Sequence, residues 1–548
     1  MNTNYDYVVV GGGTAGVVIA SRLSQYLPSS HIALIEAGPN ATDHPKVKDV
    51  SDKIAWIELM GEGMVVDYST IPQEHLNNRQ IANPAGHLLS GSSGVNVGTW
   101  MRASTADHGV IAKKAGHERF LFKNMVKYFK RLETHFDNGA DEEYYGFDGP
   151  IHTVGGRRYP MRDIIQKSAE NIGHRYNPNA TKGDPIGLAD FVQCFRATSE
   201  GSATRQHSAK VYDLSKVHLF CNTTVARVVL NNDRRATGIE LESGLVLQAI
   251  KEVIVCCGAQ RTPQLLMLSG IGPAEELHRH NILLLVNSPA VGQNYFDHSA
   301  LTACYKLKHA SKGYSKPFTG KSHPSYGQGM PIDFSLFAAI PEGELAPRLA
   351  SDGQSVVEHP MLVAKRGHHM SLVSYYPLHA RPVLYPSIND DGAYISITAL
   401  HMLPLSRGTV TLRSKDPGDH PVCDPKFFST ETDRFIMRSA IRGNLRLVET
   451  EPLADEIEGE VAPIGFSTLT SHSSDEEIDE RVRAFAVTIA HPMGTCALGS
   501  VLNDEFRLKG ASGLRVCDAS VFPEPVGAMP SCTVYALAEM CAELVAGR

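Results

Sequence analysis

At 548 residues, 42% of them hydrophobic, the chain is long enough for up to about three domains with sizeable buried cores. With 52 Lys and Arg against 59 Asp and Glu, a net charge of −7 leaves no basic excess to hold a phosphate backbone, which excludes nucleic acid as a partner. Ten cysteines scattered without a C-x-x-C pair exclude a zinc site and a disulfide framework, and no apolar run approaches the roughly 20 residues that span a bilayer.

The first strand pattern begins near Tyr5 and leaves no room for a signal peptide, so the expectation is an intracellular, cytoplasmic protein with reduced thiols. YDYVVVGGGTAGVVIASRL is a β-branched run, a break at three glycines, and then apolar residues at helical spacing (Val17, Ala20, Leu23). This is a strand, a tight turn and a helix. Gly11, Gly13 and Gly16 fit G-x-G-x-x-G: the first permits the turn, the second lets a pyrophosphate approach the backbone, and the third lets helix and strand pack. The helix N-terminus, beginning at Thr14 and Ala15, then faces the phosphates. A second strand, HIALIEAG, carries Glu36, where a carboxylate accepts both ribose hydroxyls and repels a 2′-phosphate. The segment reads as a site for FAD or NAD without choosing between them, the bland alternative being a structural glycine turn.

Residues 118–136 read as a charged helix. Residues 217–258 return to β pattern, with a strand, a hairpin turning at NNDRR, and another strand ending in Gly258. GAQRTPQLLMLSGIG (258–272) reads as a loop, a short helix and a Gly-rich turn. In HPMGTCALG (491–499), His491 is a metal ligand, a general base or a packed imidazole, and Cys496 is a nucleophile or an inert thiol; nothing local decides.

Several segments together resemble the glucose-methanol-choline (GMC) oxidoreductase family, FAD-dependent enzymes that mostly oxidise alcohols. They are the glycine fingerprint, GHLLSGSSGVNVGTW (86–100), GAQRTPQLLMLSGIG, VGQNYFDH (291–298), SRGTVTLRS (406–414), HPMGTCALG and GLRVCDASVFP (513–523). The 86–100 loop departs from the family pattern at Ser90, where a second glycine is usual. The resemblance implies FAD and an α/β fold: a Rossmann-like FAD-binding domain from 1–155, 195–305 and 480–548, and a substrate-binding domain from 156–194 and 306–479 on an antiparallel sheet with helices. It implies that Ser92, Asn96 and Val97 lie against the flavin, Val225 near the adenine, and Asp518 and Ala519 near the pyrophosphate and isoalloxazine. No residue of 90–101 is a His, so a noncovalent cofactor is expected. Residues 310–385, rich in Gly, Pro, Ser, Tyr and His, suit the loops of a substrate cap, with His368, His369, Tyr375, Tyr376 and His379 as polar candidates that are more often packed or solvated than substrate-binding.

The same resemblance makes His491 the general base facing flavin N5. A carbinol C–H leaves as hydride to N5, while the O–H proton goes to a base with a pKa near the working pH, such as an imidazole near 6.5. Pro492 restricts the His491 backbone to extended conformations. Cys496 reads as structural, since no basic neighbour in sequence lowers its pKa, and no metal is expected. Family members usually place a second His or Asn on the turn before the last helix. Aligning YALAEMCAEL (535–544) puts Met529 there, or Ser531 with a gap of two. A thioether neither donates a hydrogen bond nor takes a proton well. The expected function is hydride removal from an alcohol-type carbon of a small, specialised-metabolite substrate. The alternatives raised by Met529 are dehydrogenative cyclisation, desaturation or non-redox lyase or isomerase chemistry on the same fold, and a flavin-binding protein with little catalysis. The substrate's identity, the electron acceptor and the oligomeric state stay open.

Overall fold

The computed structural model describes residues 3–48, 55–198, 202–317, 323–378, 383–389 and 391–548. Val8, Val9 and Val10 are all buried, as a central parallel strand covered on both faces requires. Their strand, Asn4–Val10, pairs in parallel with Ile32–Ile35 and with Val246–Val255, and His218–Phe220 extends the sheet beyond Ile32–Ile35. The strand Val246–Val255 is shared. Its first residues pair antiparallel with Ala236–Leu241, which pairs with Val225–Leu230, while Val253–Val255 pair in parallel with Leu514–Val516. The C-terminal stretch thus completes a sheet begun at the N-terminus.

The helix Thr14–Tyr26 packs against this sheet and against the last helix, Ser531–Ala546, in which every residue from Cys532 to Ala542 is buried. A helix apolar nearly all round belongs between layers. Its buried Glu539 is satisfied by Arg22 Nε at 2.8 Å and the Tyr212 hydroxyl at 3.0 Å.

A second sheet is antiparallel throughout, in the order Ile457–Val461, Ser299–Leu307, Tyr394–His401, His369–Ser374, Phe334–Ala338, Gly187–Asp190, with Val487–Thr488 also pairing on Ser299–Ala300. The helix Glu431–Val448 packs on its two central strands. Ser299–Leu307 crosses position 305 and Val487–Thr488 lies within 480–548, so the chain, having already given Gly187–Asp190 to the second sheet, returns to it after His298 and leaves it after Thr488. These two crossing points lie side by side.

Three local readings change. Residues 310–385 are not only loops: they supply the strands Phe334–Ala338 and His369–Ser374 and the helix Glu342–Ser351. A strand buried along its whole length shows no alternation, so HMSLVS gave no period-2 signal. His368 and Tyr375 flank this strand and are packed; His368 Nε2 reaches the Met361 carbonyl at 2.7 Å, its Nδ1 accepts from Ile340 N–H at 2.9 Å, and Tyr375 donates to Asp333 at 2.7 Å. His369 and Tyr376 are buried as well, and His379 lies outside the described residues.

The helix Gly258–Leu268 starts directly after Cys257, with no intervening loop, and holds Pro263 inside it. A proline there strips the Ala259 carbonyl of its helical partner. The Thr495 hydroxyl replaces that partner at 2.6 Å, a first structural task for the HPMGTC segment. The helix expected over 118–136 is a 3₁₀ turn, Glu118–Phe120, followed by Phe122–Leu132, and it stops where Glu133 enters a short strand.

Candidate active site

The glycine fingerprint divides its labour as the spacing requires. Gly11 has φ +98°, and a Cβ there would lie 2.4 Å from the Cys256 carbonyl oxygen; one at Gly16 would lie 1.9 Å from the Gly11 oxygen. These two serve the turn and the helix–strand contact. A Cβ at Gly13 would meet nothing nearer than 3.9 Å, so the backbone beside the first helix N-terminus is open, as the approach of a pyrophosphate would require. Thr14 and Ala15 begin that helix. Gly258, at the start of the second helix N-terminus, likewise has nothing within 4 Å.

The 86–100 loop closes over this turn. A Cβ at Gly91 would sit 2.8 Å from Gly13 Cα, and Ser90 N–H donates to the Gly12 carbonyl at 2.7 Å. Ser90 takes φ +97°, the left-handed region where the family's glycine is at ease. Its hydroxyl is placed by that backbone to meet His207 Nδ1 at 2.7 Å and to accept Ala209 N–H at 2.9 Å. Ser92 and Val97 are exposed within a loop that is otherwise buried or half-buried, Val97 at 52%, leaving room for a ring system against them. Asn96 is held by Gly98 N–H on Oδ1 at 2.8 Å, and the Arg205 guanidinium donates to its carbonyl.

Glu36 is buried, with Oε2 accepting Gly12 N–H at 2.7 Å and Oε1 accepting Gly38 N–H at 2.8 Å. Burial raises its pKa against the pull of those bonds. Its carbonyl accepts Thr223 N–H at 2.9 Å, which brings the start of the Val225 strand to the same end of the sheet. Asp518 Oδ2 accepts Gly258 N–H at 2.9 Å and the Thr262 hydroxyl at 2.6 Å, and the Ala519 carbonyl accepts Gly494 N–H at 3.3 Å. These contacts tie the CDAS turn to the HPMG segment and to the second helix N-terminus.

His491 sits where the chain leaves the second sheet. Ser299 pairs with Thr488 and Phe296 with Met493, so five steps of chain on one side oppose three on the other. The surplus makes a bulge at Ala490, His491 and Pro492, and bulges re-aim side chains. Ala490 adopts φ +58°, a strained conformation for a residue with a Cβ, and the Thr488 hydroxyl fixes its N–H at 2.8 Å. Asp297 Oδ1 accepts the His491 N–H at 2.9 Å. The other Asp297 oxygen takes the Thr488 hydroxyl at 2.6 Å and the Asn83 amide at 2.8 Å. The His491 ring is half-buried, and its Nδ1 lies 3.1 Å from Nδ1 of the fully buried His298. Burial pushes His491 down to about 3, well below the value near 6.5 expected of it from the sequence, so its imidazole is neutral. Cys496, by contrast, is buried and burial drives its thiol up, which leaves it inert.

Met529 is 7% exposed on the turn before the last helix, whose first residue is the half-buried Ser531. That turn reaches the histidine pair through Val526, whose carbonyl flanks the His298 ring. Asn83, Asp297, His298 and Thr488 escaped the sequence reading as individual residues. VGQNYFDH stands out in the sequence as a segment, yet nothing local shows that its acid and histidine meet a residue some 190 positions away.

The chain matches GMC oxidoreductase descriptions over residues 5–300 and again over 404–538. It is 38% identical to the GMC-type oxidoreductase acuG of Aspergillus aculeatus, covering 100% of this chain and 99% of that protein. It is 30% identical to choline oxidase of Arthrobacter globiformis over 99% of this chain and 94% of that one. The R554K formate oxidase from Aspergillus oryzae superposes with a TM-score of 0.86 at 26% identity, over 99% of this chain and 98% of the other. The chain belongs to the GMC oxidoreductase family.

Proposed function

We propose that the protein is an FAD-dependent oxidoreductase that oxidises an alcohol-type CH–OH carbon of a small organic molecule, with His491 as general base. Bound FAD supplies a ring that accepts the hydride; positioning and proton transfer fall to the chain. Gly13, Glu36, Val225 and Asp518 would hold the dinucleotide, and Ser92, Asn96, Val97 and Ala519 would line its ring. The first sheet with its helices, from 1–155, 195–305 and 480–548, forms the cofactor side, and 156–194 with 306–479 the substrate side, the strand Ser299–Leu307 serving both. The observation that carries the reading is the bulge. It presents a neutral, half-exposed imidazole where the chain leaves the second sheet, on the segment that Gly494 ties to the CDAS turn. A neutral ring can take the hydroxyl proton as the carbon–oxygen bond becomes a carbonyl. The names of the relatives, choline oxidase among them, agree with oxidation of a small molecule.

Anaerobic mixing with a panel of alcohols tests this. The visible absorbance of the flavin is expected to bleach with at least one alcohol, and His491→Ala is expected to keep FAD while slowing bleaching by about 10² or more. Bleaching at the wild-type rate in that variant would remove His491 from the mechanism. The buried thioether of Met529 favours a second reading, in which the same site performs cyclisation, desaturation or non-redox chemistry on an apolar specialised metabolite; product identification separates the two. The ten unbridged cysteines are in keeping with the intracellular location proposed here. Among the described residues no helix is long and apolar enough to cross a membrane.

A further inference from the structure

We infer that His298 is a positioning residue that fixes the tautomer of His491: its Nδ1 accepts the Nδ1–H of His491, leaving the lone pair of His491 Nε2 as the base for the substrate hydroxyl. The inference rests on the reading of His491 as base and adds what makes it one.

The two Nδ1 atoms are 3.1 Å apart with ring planes at 81°, a hydrogen-bonded pair in which a single proton lies between the nitrogens. Whichever ring supplies that proton carries its lone pair on Nε2, and the other ring carries its proton there. The direction is therefore decided at His298. Its ring is completely buried, and the main-chain carbonyls of Met402 and Val526 flank it, both favouring a proton on the ring. Its Nδ1 is taken by His491, so Nε2, which closes no full hydrogen bond among the described residues, is the nitrogen left to these carbonyls. A lone pair turned toward carbonyl oxygens is repelled, whereas an N–H is attracted. His298 then keeps its proton on Nε2 and offers Nδ1 as acceptor. The reverse arrangement would turn His491 Nε2 into a donor, unable to take a proton from the substrate.

The frame holding His298 is fixed on both sides. Its carbonyl accepts Ile489 N–H at 3.1 Å, Ser299 enters the sheet opposite His401 and Thr488, and the preceding Asp297 holds the His491 main chain. Consecutive residues thus grip the backbone and the ring of one histidine. When His491 takes the substrate proton, the Nδ1–H bond to His298 becomes charge-assisted and stronger. Burial, followed by the charges of His491 and His401, holds the His298 pKa well down, which disfavours passing the positive charge on to His298.

The test uses holoenzyme labelled with ¹⁵N-histidine, the His491 signals being assigned by difference from His491→Gln. The expected wild-type spectrum shows His491 protonated on Nδ1 and bare on Nε2, and it decides the tautomer without substrate or any change at His298. His298→Asn, which places a carbonyl oxygen near the Nδ1 position, is expected to keep that pattern and stay within about tenfold of the wild-type anaerobic reduction rate. His298→Leu is expected to lose the pattern and about 10² in rate at unchanged FAD content, the scale of a lost general base. A wild-type His491 protonated on Nε2, or equal rate losses in the Asn and Leu variants, would overturn the inference. If no alcohol reduces the wild-type flavin, the functional reading fails, while the spectrum still decides the tautomer.

Discussion

Asp297 accepts the main-chain N–H of His491 at 2.9 Å, joining two crossing points of the chain that are 194 residues apart. The same carboxyl takes the Asn83 amide and the Thr488 hydroxyl, so three donors converge on one buried acid. Burial nevertheless outweighs them and raises Asp297 from 3.8 to about 7.

An acid whose folded pKa lies above its unfolded value binds its proton more tightly when folded. Its contribution to stability is full below pH 4 and is lost as pH rises through about 7, by roughly 4 kcal/mol in all. Asp297→Asn cannot titrate, and its amide nitrogen meets donors, so this variant is expected to be less stable than wild type near pH 4 and to lack that decline, the gap narrowing toward pH 8. Thermal unfolding of both proteins between pH 4 and 8 checks it. A gap between them that does not change with pH would show that Asp297 stays ionised in the folded protein.

How much of this was legible depended on how local each cause was. The fingerprint glycines were readable because each answers a constraint within its own turn, as the close approaches at Gly11 and Gly16 show. The short helix of 258–272 was expected, but its first residues read as loop because its proline is excused from a distance by Thr495. Histidine and tyrosine content hid the strand His369–Ser374, whose burial comes from partners elsewhere in the chain. The bulge that aims His491 is a mismatch in count between two strands far apart in sequence, and no window on either strand contains it.

Glu36 holds two buried amides, Gly12 and Gly38, besides facing the open glycine turn. Removing the acceptor costs about 1–3 kcal/mol for each donor left unsatisfied. Glu36→Ala is therefore expected to destabilise the apoprotein by about 2 kcal/mol or more and to release FAD further still, with Glu36→Gln intermediate because it keeps one acceptor. Apoprotein unfolding and FAD fluorescence read the two effects separately. An apoprotein as stable as wild type would mean that the two amides find other acceptors.

Ser90 combines a strained left-handed backbone with two hydroxyl contacts, so its variants separate strain from bonding. Ser90→Gly relieves about 1 kcal/mol of backbone strain while losing the contacts to His207 and Ala209. Ser90→Ala loses the same contacts and keeps the strain. The alanine variant is expected to be the less stable by about 1 kcal/mol, with more FAD released at equal dilution. The reverse order of unfolding midpoints would show that the left-handed backbone at position 90 carries no such strain.

Met529 lies in the same apolar cluster as Val526 and Ala528, on a turn with little freedom to adjust. Gly527 N–H donates to Asp107 at 3.2 Å, a Cβ at Gly527 would sit 2.8 Å from the Gly367 oxygen, and Asn294 holds the Pro523 carbonyl at 3.3 Å. A polar side chain placed at 529 must find its partners where it stands, and each buried polar group left unpaired costs about 1–3 kcal/mol. Met529→His and Met529→Asn are therefore expected to unfold earlier than wild type and to leave the best alcohol of the panel reducing the flavin no faster, whereas Met529→Leu stays close to wild type in both. The opposite expectation follows if the turn faces a forming alkoxide. A second donor there would stabilise the transition state more than the neutral alcohol and raise the reduction rate. A tenfold gain from Met529→His would place residue 529 against the reacting oxygen and favour plain alcohol oxidation over chemistry on an apolar metabolite.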